Sequence, residues 1–195
     1  MQWLTVEEEY MNYIREYENR IPKTDYGNDK FKPFFGSLFE VDGLIYITQV
    51  SHPQTRHFTM KENKDFFKLY DQNKLIAVVN LNYMFPVHKN DLIDVNYRNI
   101  GEFRSFKNEK DKNGYIAILK KEMKQIKTRE IHLRALELYN NKYKYPSDKV
   151  SLRCIDFREI ENKCMEYRHK KESKSALPEV ASDTNKNKQE EIKKD

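Results

Sequence analysis

The stretch Tyr46-Ile47-Thr48-Gln49-Val50-Ser51-His52-Pro53-Gln54-Thr55-Arg56-His57 changes character half-way along. From Tyr46 to Val50, β-branched and aromatic residues alternate with polar ones, the pattern of a strand. Pro53 ends the ladder because it has no N–H to give a sheet. A hydroxyl (Ser51), two imidazoles (His52, His57) and a cation (Arg56) therefore stand at a strand end and in the loop after it. Those groups suit cleavage of a phosphodiester without a metal. They are also the ordinary content of an inert polar loop.

Outward from that strand, the chain reads as a sheet with helices. Upstream, Phe34, Phe35, Leu38 and Phe39 mark a strand over 33–40, and Asp42-Gly43 is a hairpin turn, so 44–50 is the return strand. The hairpin brings Lys32 toward the side of Ser51 and His52. Downstream, 66–70 and 75–80 form a second hairpin around Asp71-Gln72-Asn73, and Met84-Phe85-Pro86-Val87 belongs at an edge or a chain crossing. Trp3 to Val6 is a short strand, and Thr5 with Glu8 fits a capping box for a helix over 7–19. Tyr10, Tyr13, Ile14 and Tyr17 share one face of that helix, and Tyr13 and Tyr17 read as core. Ile21-Pro22 ends it, and 23–32 is a polar loop carrying Tyr26 and Lys32. Residues 91–100 read as irregular or one helical turn. Helical periodicity returns over 114–127, 128–139 and, with Ile155, Phe157, Ile160, Cys164 and Tyr167, about 154–167.

At 195 residues, 38% hydrophobic and with 13 Tyr and 11 Phe, the chain can bury one proper core despite 34% charged residues. A net charge of +5 permits nucleic-acid binding without arguing for it. Tyr and Phe rings stack on unpaired bases, although most such rings in any fold are core. Cys154 and Cys164 are too few for a disulfide framework and lack a zinc spacing. On one helix they would lie about 15 Å apart, too far for a disulfide. A reducing cytoplasm is the natural compartment. Glu7-Glu8-Glu9 interrupts any apolar signal core, and no run reaches the length of a membrane helix. After Arg168 aromatics vanish; Lys170–Asp195 holds seven Lys against six acids, which leaves +4 on the preceding residues. The expected organisation is one domain over 1–168 and a disordered charged tail over 169–195.

The ordered landmarks resemble the ToxN/AbiQ family of type III toxin–antitoxin endoribonucleases. The likeness rests on Glu9-Tyr10-Met11-Asn12-Tyr13-Ile14-Arg15, the Phe34-Phe35-Gly36 strand, Ser51-His52-Pro53 and Val79-Asn80-Leu81-Asn82-Tyr83-Met84-Phe85-Pro86-Val87. The terminal Cys154-Ile155-Asp156-Phe157 and Ile160-Glu161-Asn162-Lys163-Cys164 complete it, in family order over about residues 3–168. The resemblance implies an α+β fold, a compact, strongly twisted antiparallel sheet with packed helices, similar to the MazF/Kid toxins. It implies an RNase that needs no metal or other cofactor and is held inactive by a small repeated, pseudoknot-like RNA. The partner complex so implied is a closed assembly of three proteins and three RNAs, and the substrates are cellular or phage mRNAs. The family's helix tyrosine falls on Tyr10, its loop tyrosine near Tyr26 and its basic residue on Lys32. Its Thr/Ser-Ser-Pro-Lys loop falls on Ser51, His52, Pro53 and Gln54, so a histidine stands where serine is usual and a glutamine where lysine is usual.

The substitution makes chemical sense. Internal attack by a ribose 2′-hydroxyl needs a base, an acid for the leaving 5′-oxygen, and cations on the developing charge. Histidine can fill either proton role near neutral pH. The expected catalytic set is His52, Ser51, Tyr10 and Lys32, with Tyr26, Arg56, His57 and Gln54 binding RNA. His57 reads equally as a loop-stabilising residue. The rival functions are a non-catalytic RNA-binding module and a structural or phage-component-binding protein.

Overall fold

The computed structural model describes residues 1–25 and 30–175. Eight strands, all paired antiparallel, form one sheet: β1 (Gln2–Val6), β2 (Phe34–Gly36), β3 (Glu40–Val41), β4 (Leu44–Ser51), β5 (Phe66–Asp71), β6 (Lys74–Asn80), β7 (Phe85–His88) and β8 (Leu92–Val95). The order is β5-β6-β4-β2-β1-β8, with β3 and β7 also on β4. Helices are α1 (Glu8–Tyr17), α2 (Thr55–Thr59), α3 (Ile100–Phe103), α4 (Glu109–Thr128), α5 (Ile131–Lys144), α6 (Lys149–Arg153) and α7 (Phe157–Ser175). The protein is thus α+β. Among the described residues no helix is long and apolar enough to cross a membrane.

The organising strand is β4, whose residues Tyr46 to Val50 are all buried. It pairs with β2 through Phe34↔Gln49 and Phe35↔Thr48, with β7 through Ile47↔Phe85, and with β6 through Val50↔Val79 and Ser51↔Val78. Asp42 and Gly43 take positive φ (49° and 78°), the geometry a two-residue hairpin needs, and Gln72 (53°) does the same between β5 and β6. The first hairpin is not one unbroken pair of strands, since β2 stops at Gly36 and β3 resumes at Glu40. Gly36 is required there: a Cβ would come within 2.8 Å of Ile47 Cγ2 and 3.2 Å of Leu4 Cδ1.

Several expectations are corrected. Thr5 does not cap α1; it is still inside β1, opposite Ile93, and Glu7 occupies the cap position. The buried face of α1 is Tyr10, Met11 and Ile14, while Tyr17 is exposed. Residues 92–95 are an edge strand rather than irregular chain, and 55–59 are a helix rather than a loop. Both cysteines are free and buried, but Cys154 precedes α7 instead of sharing it with Cys164. The last helix does not stop at Arg168: it runs to Ser175, and Lys171 pairs with Asp91 at 2.8 Å and with Glu7. The remainder of the expected tail, 176–195, lies outside the described residues.

Candidate active site

Where β4 runs out, the chain opens a cleft of about 620 Å³ between the end of that central strand and α4. Its sheet side carries Lys32, Ser51 and His52; its helix side carries Arg104, Tyr115 and Glu122. The register explains the first three. With Phe34 opposite Gln49, continuation of the β2 backbone by two residues carries Lys32 to the level of Ser51.

Lys32 is held from both sides. The buried Gln49 amide on β4 donates to the carbonyls of Lys23 (2.9 Å) and Lys32 (2.8 Å), and the Lys32 N–H donates to Thr24 O (2.9 Å). On the far side, Tyr115 Oη donates to Phe31 O at 3.0 Å and Arg104 Nη1 donates to it at 3.4 Å. The Arg104 guanidinium lies 4.4 Å from the centre of the Tyr115 ring and 5.6 Å from that of Phe106. Stacking of that kind fixes a guanidinium plane while leaving its charge available to an anion.

The electrostatics follow from crowding cations in a partly dry cleft. His52 is held below the ordinary imidazole range, first by desolvation and then by the positive charges of Lys32 and Arg104. It is therefore neutral at pH 7. Lys32 is also lowered, by desolvation and by Arg104 and Lys30, with Glu122 opposing. Glu122 is only 4% exposed, and burial pushes its carboxyl up to about 8 although Lys32 draws it down. Lys107 and Lys110 stand on the cleft wall near the start of α4, together with Asp111.

The other expected site residues lie elsewhere. Tyr10 does not line the cleft; its ring is fully buried, its hydroxyl donates to Pro86 O at 2.6 Å, and it packs edge-on against Tyr167. Burial raises its pKa well above the ordinary phenol value. It is core, as its place on the inner face of an amphipathic helix requires. His57 is buried and structural: its Nδ1 accepts the Gln54 N–H at 3.0 Å and its own N–H donates to Gln54 O at 2.8 Å, closing the first turn of α2. Accepting at Nδ1 requires that nitrogen to be unprotonated, and burial with Arg56 and Lys68 nearby lowers its pKa accordingly. Gln54 is thereby a helix cap, and Arg56 lies against His57, its Nε 3.3 Å from His57 Nε2. Neither lines the cleft. Tyr26 lies outside the described residues. Gln49, Arg104, Tyr115 and Glu122 were not anticipated from the sequence.

A cationic cleft at the end of a sheet, with an imidazole and a serine inside it, holds the groups that phosphodiester chemistry needs. The model of the toxin ToxN of type III toxin–antitoxin systems matches residues 2–165. The chain belongs to the ToxN toxin family. Over 95 residues it is 28% identical to the endoribonuclease ToxN of Pectobacterium atrosepticum, a match spanning 45% of this chain and 54%, about half, of that relative. With the endoribonuclease ToxN of Bacillus thuringiensis subsp. kurstaki it shares 24% over 175 residues, 87% of this chain and 86% of the relative. Among solved structures, a chain from work on selective toxin inhibition by a non-coding RNA pseudoknot superposes with a TM-score of 0.69 at 20% identity, covering 86% of this chain and 97% of that one. AbiQ, a lactococcal anti-phage endoribonuclease of the type III toxin–antitoxin class, gives 0.68 at 19% identity over 86% and 98%. At those identities the likeness is one of fold. The same cleft that holds the Ser51-His52 strand end is also lined by buried Glu122 from α4.

Proposed function

We propose that the protein is an endoribonuclease toxin that cuts RNA in the cleft of Lys32, Ser51, His52 and Arg104 by internal attack of a ribose 2′-hydroxyl, without a metal ion. The observation that carries this is the convergence of a neutral imidazole with a lysine and an arginine on one wall-to-wall cleft. Neutral His52 takes the 2′-hydroxyl proton as the oxygen bonds to phosphorus. Arg104 and Lys107 neutralise the non-bridging oxygens, and the Lys32 ammonium protonates the departing 5′-oxygen. Ser51 orients the phosphate through its hydroxyl. The products are a 2′,3′-cyclic phosphate and a 5′-hydroxyl, and the need for a 2′-hydroxyl confines the activity to RNA.

By the same reading, the toxin acts in the cytoplasm on cellular or phage mRNA and is restrained by a small repeated antitoxin RNA, in keeping with the pseudoknot that inhibits its fold relative. Heterologous contacts, each protein touching two RNAs, close into a ring, and three of each is the assembly we favour. The twisted sheet is taken to be of the MazF/Kid kind. The test is purified protein incubated with mRNA in EDTA. Fragments ending in cyclic phosphate support the reading. Intact RNA would identify a binding module instead, and ends lacking the cyclic phosphate would overturn the chemistry.

A further inference from the structure

The inner half of the cleft has a different character from its mouth. Beside half-buried Lys32 and exposed His52 stand buried Val50 from β4 and, from α4, half-buried Tyr115 and buried Leu119, with exposed Ile118 on the outer part of the same wall. One polar side chain, Glu122, stands among them. Gly114, itself exposed, lines the rim of the same wall, and a Cβ built on it meets nothing within 4 Å. The cavity falls within the size range of small-molecule sites, about 300–1,000 Å³.

We infer that this buried part of the cleft is a nucleobase subsite: one unstacked base next to the scissile phosphate enters between Val50 and the Tyr115–Leu119 wall, and the Glu122 carboxyl hydrogen-bonds its edge. The inference rests on the cleft being the cleavage site, as proposed above. An ionised carboxylate here would repel a phosphate bound at Lys32 and Arg104, only one step away. With its proton held to about pH 8, Glu122 is instead an uncharged group with a donor and an acceptor side by side. The Watson–Crick edge of each RNA base offers a donor beside an acceptor, a complementary pair. Apolar and aromatic walls contribute stacking and exclusion of water, which serve a base and do nothing for a phosphate. The mouth thus binds the backbone and the buried part binds the base, so the nucleotide is located by both its ends.

A defined RNA with one cleavage site, and the same RNA carrying a single abasic nucleotide on either side of that site, tests this. In wild type, kcat/KM should fall about tenfold or more for one of the two abasic substrates. In Glu122→Leu and in Gly114→Leu, whose side chain projects into the cleft from its rim, that ratio should shrink toward one. Glu122→Gln should keep the ratio, because an amide also offers a donor beside an acceptor. Melting temperatures establish that each variant is folded; Gly114→Leu should not melt lower. His52→Ala run in parallel separates the two claims. Loss of cleavage in His52→Ala with the same abasic ratio in wild type, Glu122→Leu and Gly114→Leu overturns the subsite alone. Full cleavage in His52→Ala overturns the cleft as the reacting site. A ratio lost in Glu122→Gln as fully as in Glu122→Leu would make the glutamate a proton carrier or a counter-ion to Lys32, and would also overturn the base-binding role.

Discussion

His52 and Tyr10 are the two residues at which chemistry and packing separate. His52 faces the cleft with its pKa lowered by desolvation and by two cations, so the base form persists below the ordinary histidine value of about 6.5. The sign follows: activity needs the neutral ring, is full above that lowered pKa, and is lost as pH falls through it. A pH–rate profile should therefore show an acidic limb below the value of a free imidazole, and His52→Ala should abolish the limb along with about 100-fold or more of the rate. An acidic limb at or above the ordinary value would remove His52 from the role. Tyr10 is the converse. Its hydroxyl satisfies the Pro86 carbonyl in a fully buried place, so Tyr10→Phe should cost about 1–2 kcal/mol of stability and leave kcat unchanged. A drop in activity without a drop in melting temperature would put the hydroxyl back in the site.

At the scale of elements, α7 shows how the chain fastens its end. Asp91 is 1% exposed and takes Lys171 at 2.8 Å and Arg168 at 3.4 Å, while Lys171 also reaches Glu7 at the start of α1. A chain ending at His169 keeps Arg168 but loses Lys171. The destabilisation should be on the order of 2 kcal/mol, below the 3–5 kcal/mol of a buried charge left wholly unpaired. Urea midpoints of chains ending at His169 and at Ser175 measure it, and equal midpoints would show that the ion cluster contributes nothing. The hairpins were legible because alternation and turn residues are local signals: Asp42-Gly43 and Asp71-Gln72-Asn73 lie where they were expected. Strand β8 was hidden because it is a four-residue edge with two of its side chains exposed, so it has no buried face to alternate. Helix α2 was hidden because its first turn is closed by a histidine, not by a common capping residue. In the site, Lys32, Ser51 and His52 could be grouped because one hairpin register joins them. Arg104 and Glu122 come from elements that touch the strand end only after the helices pack. The available signal for Glu122 was its spacing from Leu119 and Ile126, which puts a carboxyl on the buried face of a helix.

For the whole molecule the question is where RNA meets a protein carrying only +5 over 195 residues. Charge so small in total attracts RNA mainly where it is concentrated, and Lys32, Arg104, Lys107 and Lys110 share one cleft with Asp111. Each lysine that neutralises a phosphate of a single strand should contribute about 0.7 to the slope of log affinity against log salt. Lys107→Ala and Lys110→Ala, made in a His52→Ala background so that the RNA stays whole, should each flatten the slope by about that amount. The loss should be the same for RNAs of different sequence, because a phosphate contact carries no base information. Lys163, paired with Glu166 on α7 and absent from the cleft wall, is the matched control and should leave the slope alone. Fluorescence anisotropy between about 50 and 200 mM salt spans the range in which counterion release is measurable. A slope that falls for Lys163→Ala and holds for the two cleft lysines would place the RNA against α7, outside the cleft to which cleavage is assigned.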